Sequence, residues 1–296
     1  NQAHETVLES SILPQINDIS FTDFKVGQLI KGLQKFNNEQ DSSLQLSEGQ
    51  LKSTRISLDL LALKDALFLI TDIVSKVLTW PITSRLIGYD ILRVCVGRLN
   101  IADTIQLLVP AEVVSKVVSE GIASSVISSD VPSLMVLTRL LCNLVPTVLF
   151  KQLYFTSSEE GAVKFSQDFV AILNHLQKAI SVVGATPNHK QYNPFMTAIA
   201  TLLFDLSVMQ IKAKEIGISA GKTVVEFANQ VGQTVVESSS EAAYRCVVSF
   251  GNFKHALVLK QQPEYVAFAR TLYADTQKET RFAAGSRRLR AEVIIV

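Results

Sequence analysis

Three arginines stand inside stretches whose other residues read as buried helix. They are Arg93 in Asp90-Ile91-Leu92-Arg93-Val94-Cys95-Val96, Arg139 in Val136-Leu137-Thr138-Arg139-Leu140-Leu141-Cys142-Asn143, and Arg245 in Ala243-Tyr244-Arg245-Cys246-Val247-Val248. A guanidinium keeps its charge and is costly to bury unpaired, so each must meet a carboxylate or reach a wet groove. Three such positions suggest a surface that receives an anion, since the planar fork of arginine grips a carboxylate in two places at once. Asn143 lies one helical turn from Arg139 and therefore on the same face. Each position also has a structural alternative: Arg93 can pair with Asp90 three residues back, and Arg139 and Arg245 can tie neighbouring helices together.

Other residue sets promise less. Gly217-Ile218-Ser219-Ala220-Gly221 fits the G-x-S-x-G nucleophile elbow, and with Lys222-Thr223 it mimics the end of a phosphate-binding loop. Both motifs need a buried strand in front, whereas Val208 to Ile216 carries charges at helical spacing. A serine hydrolase at Ser219 is therefore a weak alternative, with a plain interhelical turn preferred. His4, His175, His189 and His255 are isolated, and no His or Cys pair has ligand spacing, so neither a metal nor a cofactor is expected. Cys95, Cys142 and Cys246 lie far apart with no C-x-x-C, and read as small apolar core residues in a reducing compartment, cytoplasmic or nuclear. The opening Asn1-Gln2-Ala3-His4-Glu5 shows no secretory pattern.

The elements that must hold these side chains are helices. Of 296 residues 48% are hydrophobic and 19% charged, enough to bury a large core. Lys+Arg number 28 against 27 Asp+Glu, so there is no global field for nucleic acid or an anionic membrane. Val131 to Phe150 is about long enough to span a bilayer by the usual criterion of roughly 20 apolar residues. It is broken by Pro132, Arg139, Asn143 and Pro146, and Ile56 to Leu78 carries a polar stripe, so both read as core helices.

Apolar residues recur at i, i+3, i+4 and i+7 almost throughout. The pattern predicts an amphipathic helix over 26–36, a polar loop from Asn37 to Gln50, and helices near 54–79, 83–98, 100–108 and 111–120. Asp130 as N-cap and Pro132 in the first turn open the helix that carries Arg139. Ser157-x-x-Glu160 and Ser238-x-x-Glu241 read as capping boxes for helices near 158–182 and 240–250, with further helices at 192–214 and 220–237 and a late one after Gln262-Pro263. So many helices with no strand-rich block argue for an all-α bundle or solenoid. Arg93 and Arg139 lie 46 positions apart and Asp205 and Arg245 lie 40 apart, which matches the roughly 40–47 residue period of armadillo or HEAT units. The longer step from Arg139 to Asp205 implies an enlarged unit. In such a stack the inner helices line one concave face, where equivalent polar positions converge.

Trp80-Pro81 followed after eight residues by Asp90-Ile91-Leu92-Arg93, then Arg139-x-x-x-Asn143, then Ala198-Ile199-Ala200-Thr201-Leu202 with Ser207-Val208, then Arg245-x-x-Val248-x-x-Gly251, occur in this order. Together with Ile12-Leu13-Pro14, Phe24 and the Leu29 to Asn38 helix, this pattern resembles the PUL domain that closes phospholipase A-2-activating protein and its fungal relatives. The resemblance divides the chain into a leading segment 1–10, a domain over 11–280, and a basic helix or tail over 281–296. That tail carries Arg281, Arg287, Arg288 and Arg290, to which no function is given.

The resemblance implies an armadillo-like helical domain without catalysis, whose basic concave groove binds the C-terminal tail of valosin-containing protein, a hexameric AAA+ ATPase, in ubiquitin-dependent turnover. Ubiquitin would be met only through domains outside this chain, and neither nucleic acid nor membrane is an expected partner. By the family's groove positions Arg93 and Arg245 are the first peptide-binding candidates, with Arg139 and Asn143 next. Asp205 departs from the family, which usually carries Asn there. An acidic group on the groove floor would repel an acidic peptide or damp a neighbouring arginine. The alternative is a helical scaffold for some other acidic peptide.

Overall fold

The computed structural model describes residues 17–99, 110–157, 163–212 and 218–255. The expected helices at 100–108 and after Gln262, and the basic run from Arg281, lie outside the described residues. The chain is a helical repeat stack. An extended segment over residues 17–25 leads into α1 (Val26–Asn38), which buries Leu29, Ile30 and Leu33. The loop after α1 is held from within: Asn37 accepts from the Leu46 N–H at 2.6 Å and donates to the Leu46 carbonyl at 3.1 Å, and the Trp80 indole donates to the Leu44 carbonyl at 2.9 Å.

Ser47 and Gln50 form a capping box that starts α2 (Glu48–Leu60) inside the stretch expected to be loop. The single helix expected over 54–79 is broken at Leu61, which takes a left-handed conformation (φ 40°). Asp65 then accepts from the Ala62 N–H at 3.1 Å, restarting the chain as α3 (Leu63–Phe68), which continues through a π-helical stretch (Leu69–Val74) into a last α-turn (Ser75–Val77).

The remaining helices are α4 (Leu86–Leu99), α5 (Ala111–Ile127), α6 (Val131–Leu144), α7 (Val148–Tyr154), α8 (Gln167–Gly184), α9 (Tyr192–Lys212), α10 (Ile218–Ser238) and α11 (Ser240–His255). Asp130 caps α6 as expected, accepting from the Ser133 N–H at 3.1 Å, with Pro132 in the first turn. Ser157 does not open a helix. It ends β1 (Phe155–Ser157), which pairs antiparallel with β2 (Val163–Phe165), Phe155 opposite Phe165. The aromatic rings decide this, because Phe155 stacks on Phe165 at 4.9 Å and Phe165 meets Phe169 at 4.5 Å, and a helix would separate them. Ser166, not Ser157, caps α8, accepting from the Phe169 N–H at 3.3 Å. The cap of α11 is likewise one residue later than expected, with Ser239 accepting from the Ala242 N–H at 3.1 Å.

Two layers result. The inner helices pack side by side in the order α4, α6, α9, α11, while α5, α8 and α10 form the layer behind them. The core lies between the layers and includes Trp80, Tyr89, Phe150, Phe169 and Phe195. Helix α9 is long and apolar enough to cross a membrane, yet 83% of its most apolar stretch is buried within the fold, as a central helix of a repeat stack requires. The stretch from Val131 to Phe150 bends by 108° between α6 and α7.

Candidate functional site

The three arginines set within apolar helices sit on inner helices: Arg93 on α4, Arg139 on α6 and Arg245 on α11. Asn143 follows on α6, and Thr201 and Asp205 lie one turn apart on α9 between the arginines. The repeat spacing thus brings these residues onto adjacent rungs of one layer.

The inner face is not bare. Residues 18–23 lie across it as an extended strap whose backbone is held by inner-helix side chains. The Ile19 N–H donates to Asp205 Oδ1 at 2.8 Å, and the Phe21 N–H donates to Asn143 Oδ1 at 2.7 Å. Asn143 Nδ2 donates back to the Phe21 carbonyl at 3.0 Å and to the Arg93 carbonyl at 3.0 Å. Arg93 donates from Nη1 to the Phe21 carbonyl and from Nη2 to the Asp23 carbonyl at 3.1 Å. The strap therefore crosses from α9 to α4, opposite to the order of the repeats. Ile19 seats beside Phe204, Val208 and Val248, an apolar cluster separate from the main core. Gly97, one turn after Arg93, lets the strap approach: a Cβ there would come within 2.9 Å of Asn143 Nδ2 and 3.1 Å of Thr22 Cγ2.

The three arginines differ sharply in their partners. Arg93 is 5% exposed and engaged at all three nitrogens, its Nε donating to Asp90 Oδ1 at 2.7 Å while the strap takes the other two. Arg245 is partly exposed, with Nε on Glu241 Oε1 at 2.7 Å and Nη1 on the Thr201 hydroxyl. Arg139 has neither kind of support. Its guanidinium lies 4.9 Å over the Phe21 ring, and its buried Nε has no hydrogen-bond partner among the described residues. Burial pushes the Arg139 guanidinium below the usual arginine range, and the charges of Arg93 and, more weakly, Arg245 push it the same way, against the pull of the Asp90 carboxylate.

Asp205 is fully buried and does not form an ion pair with an arginine among the described residues. One oxygen holds the Ile19 amide and the other has no partner there. Burial raises its carboxyl well above the usual range, against the pull of the Ile19 hydrogen bond. Cys142, Cys95 and Cys246 are buried, and burial raises all three thiols, Cys246 to about 12. They are core residues, not nucleophiles. Val208 to Lys212 belongs to α9, and Ile218 opens α10, so the last described residues before Ser219 are helical and not the strand that a nucleophile elbow needs. No metal-binding group of His, Cys, Asp and Glu occurs among the described residues.

The sequence model of the PUL domain matches residues 13–284. The chain belongs to the PUL domain family. Among the solved structures that share its fold are two of PUL domains. One is the PFU–PUL domain pair of Saccharomyces cerevisiae Doa1/Ufd3, 16% identical, with a TM-score of 0.62 over 96% of this chain and 79% of that one. The other is a crystal structure of PUL with a mutated PFU domain, 16% identical, with a TM-score of 0.61 over 95% and 78% of the two chains. No curated protein matches the sequence. As a PUL domain, the chain is a protein-interaction domain. Sequence reasoning did not find the strap, Phe21 or Gly97. The available signals were a glycine inside an apolar helix one turn from Arg93, and the alternation of Ile19, Phe21 and an intervening Ser20.

Proposed function

We propose that this PUL domain is a non-catalytic adaptor that binds the acidic, aromatic-bearing C-terminal tail of valosin-containing protein against the strapped inner face. In this reading it serves ubiquitin-dependent turnover in the cytoplasm and nucleus and meets ubiquitin only through other domains. The observation that carries it is Arg139, half-buried on the rung between Arg93 and Arg245, whose buried Nε has no hydrogen-bond partner and whose guanidinium meets no carboxylate among the described residues. Such a group is costly until an anion arrives, and an incoming carboxylate supplies the missing charge-assisted bond. Arg245, partly exposed, is the second contact for the peptide. Arg93 and Asn143 act through the strap, since their polar atoms are already engaged there.

A synthetic peptide of the ATPase tail, titrated by calorimetry, tests the reading. Arg139→Gln weakens binding by about 1.5 kcal/mol or more, the worth of one charge-assisted bond. It also lowers the salt dependence of binding while leaving thermal stability unchanged or higher. Wild-type affinity in the variant contradicts the assignment.

A further inference from the structure

We propose that the strap is a conditional wall of the peptide site, and that its seating and the docking of an anionic peptide strengthen one another; this rests on the function proposed above. The strap is held by few groups. Its backbone amides at Ile19 and Phe21 are satisfied by side chains, Asp205 and Asn143, with no backbone ladder beside them. What it covers is electrostatically unsettled. With the strap seated, Arg139 lies against the Phe21 ring with Nε unpaired, under the repulsion of Arg93 and Arg245. A carboxylate bound at Arg139 removes more of that cost in the seated state, because lifting the Phe21 ring away would open Nε to water. The anion therefore favours the seated strap, and by thermodynamic reciprocity the seated strap favours the anion. The acidic groups of the strap oppose this weakly: Asp18 is paired with Lys212 at 2.5 Å, and Asp23 is exposed. Gly97 and Asn143 are accordingly positioning residues, acting on the ligand through the strap.

Gly97→Ala tests this without altering any charge, because the new Cβ crowds Asn143 and Thr22. Ile19→Pro is the second variant, removing the N–H that Asp205 holds. In the wild type, saturating ATPase-tail peptide slows hydrogen exchange at the Ile19 and Phe21 amides by about tenfold. Each variant speeds exchange at the strap and weakens peptide affinity about tenfold, while the salt dependence of binding stays at the wild-type value. Binding that leaves Ile19 and Phe21 exchange unchanged overturns the coupling, and faster exchange on peptide addition shows displacement instead. Absence of binding in the wild type overturns the function proposed above and the coupling with it.

Discussion

Asn143→Leu removes the central clamp of the strap while nearly conserving volume. Asn143 is fully buried and makes three hydrogen bonds: one accepted from the Phe21 N–H and two donated, to the carbonyls of Phe21 and Arg93. The three losses are not equal. The Arg93 carbonyl lies within α4, where the helix supplies a donor, and the Phe21 carbonyl keeps the guanidinium of Arg93. Only the Phe21 N–H is stranded. An orphaned amide costs roughly 1–3 kcal/mol and each of the two other lost bonds a net 0.5–1.5 kcal/mol, which sets the expected loss at about 2–6 kcal/mol. The strap can limit that loss by lifting, which rehydrates Phe21 at the expense of the carbonyls that serve Arg93. Urea unfolding measures the loss, and hydrogen exchange at Ile19 and Phe21 separates the two responses. A loss below about 0.5 kcal/mol with exchange at both amides unchanged would falsify the clamp, since that is the scale of an ordinary surface substitution.

Two other perturbations follow from the same contacts. Asp205→Asn keeps an acceptor for the Ile19 amide and removes a titrating group. Because burial raises the folded carboxyl, the folded state holds its proton longer than the unfolded chain, so wild-type stability falls as pH rises from about 3.9, the ordinary carboxyl value, through the raised folded value. The Asn variant shows a flatter stability profile over that window, and an identical profile means that Asp205 is not held neutral. Gly88→Ala places a Cβ 2.7 Å from Val77 Cγ1, between α4 and the turn before it, and lowers thermal stability by an overpacking cost of about 1–3 kcal/mol. A neutral result there requires α4 to move away.

Much of the scaffold is legible in the chain itself. The helical period, the Asp130–Pro132 start of α6 and the spacing of Arg93, Arg139, Asp205 and Arg245 correspond to helices that pack as consecutive inner rungs. These features are local, or repeat at a fixed interval, so residue patterns carry them. The strap is different in kind. Its polar partners lie 122 and 186 positions away, and an extended segment of mixed residues carries no period that says which surface it meets. For the same reason the surroundings of Arg139 were not visible. Arg93 has its carboxylate three residues away, as its sequence neighbours suggest, whereas the lack of a hydrogen-bond partner for Arg139 Nε among the described residues depends on how α6 faces α4, α11 and the strap. Asp205 was expected to repel a ligand or damp an arginine; it holds the Ile19 amide and forms no ion pair with an arginine among the described residues. The strand pair Phe155–Ser157 and Val163–Phe165 stands where a helix start was expected, because ring packing across the strands outweighs a serine cap.

The claim that Arg139 receives the peptide's anion is tested most directly by its own side-chain Nε–H resonance, followed by NMR during titration with the ATPase tail peptide. A saturable shift of that resonance, with slowed exchange of its proton, is the predicted result. Binding of the peptide with the Arg139 resonance unmoved would contradict the account.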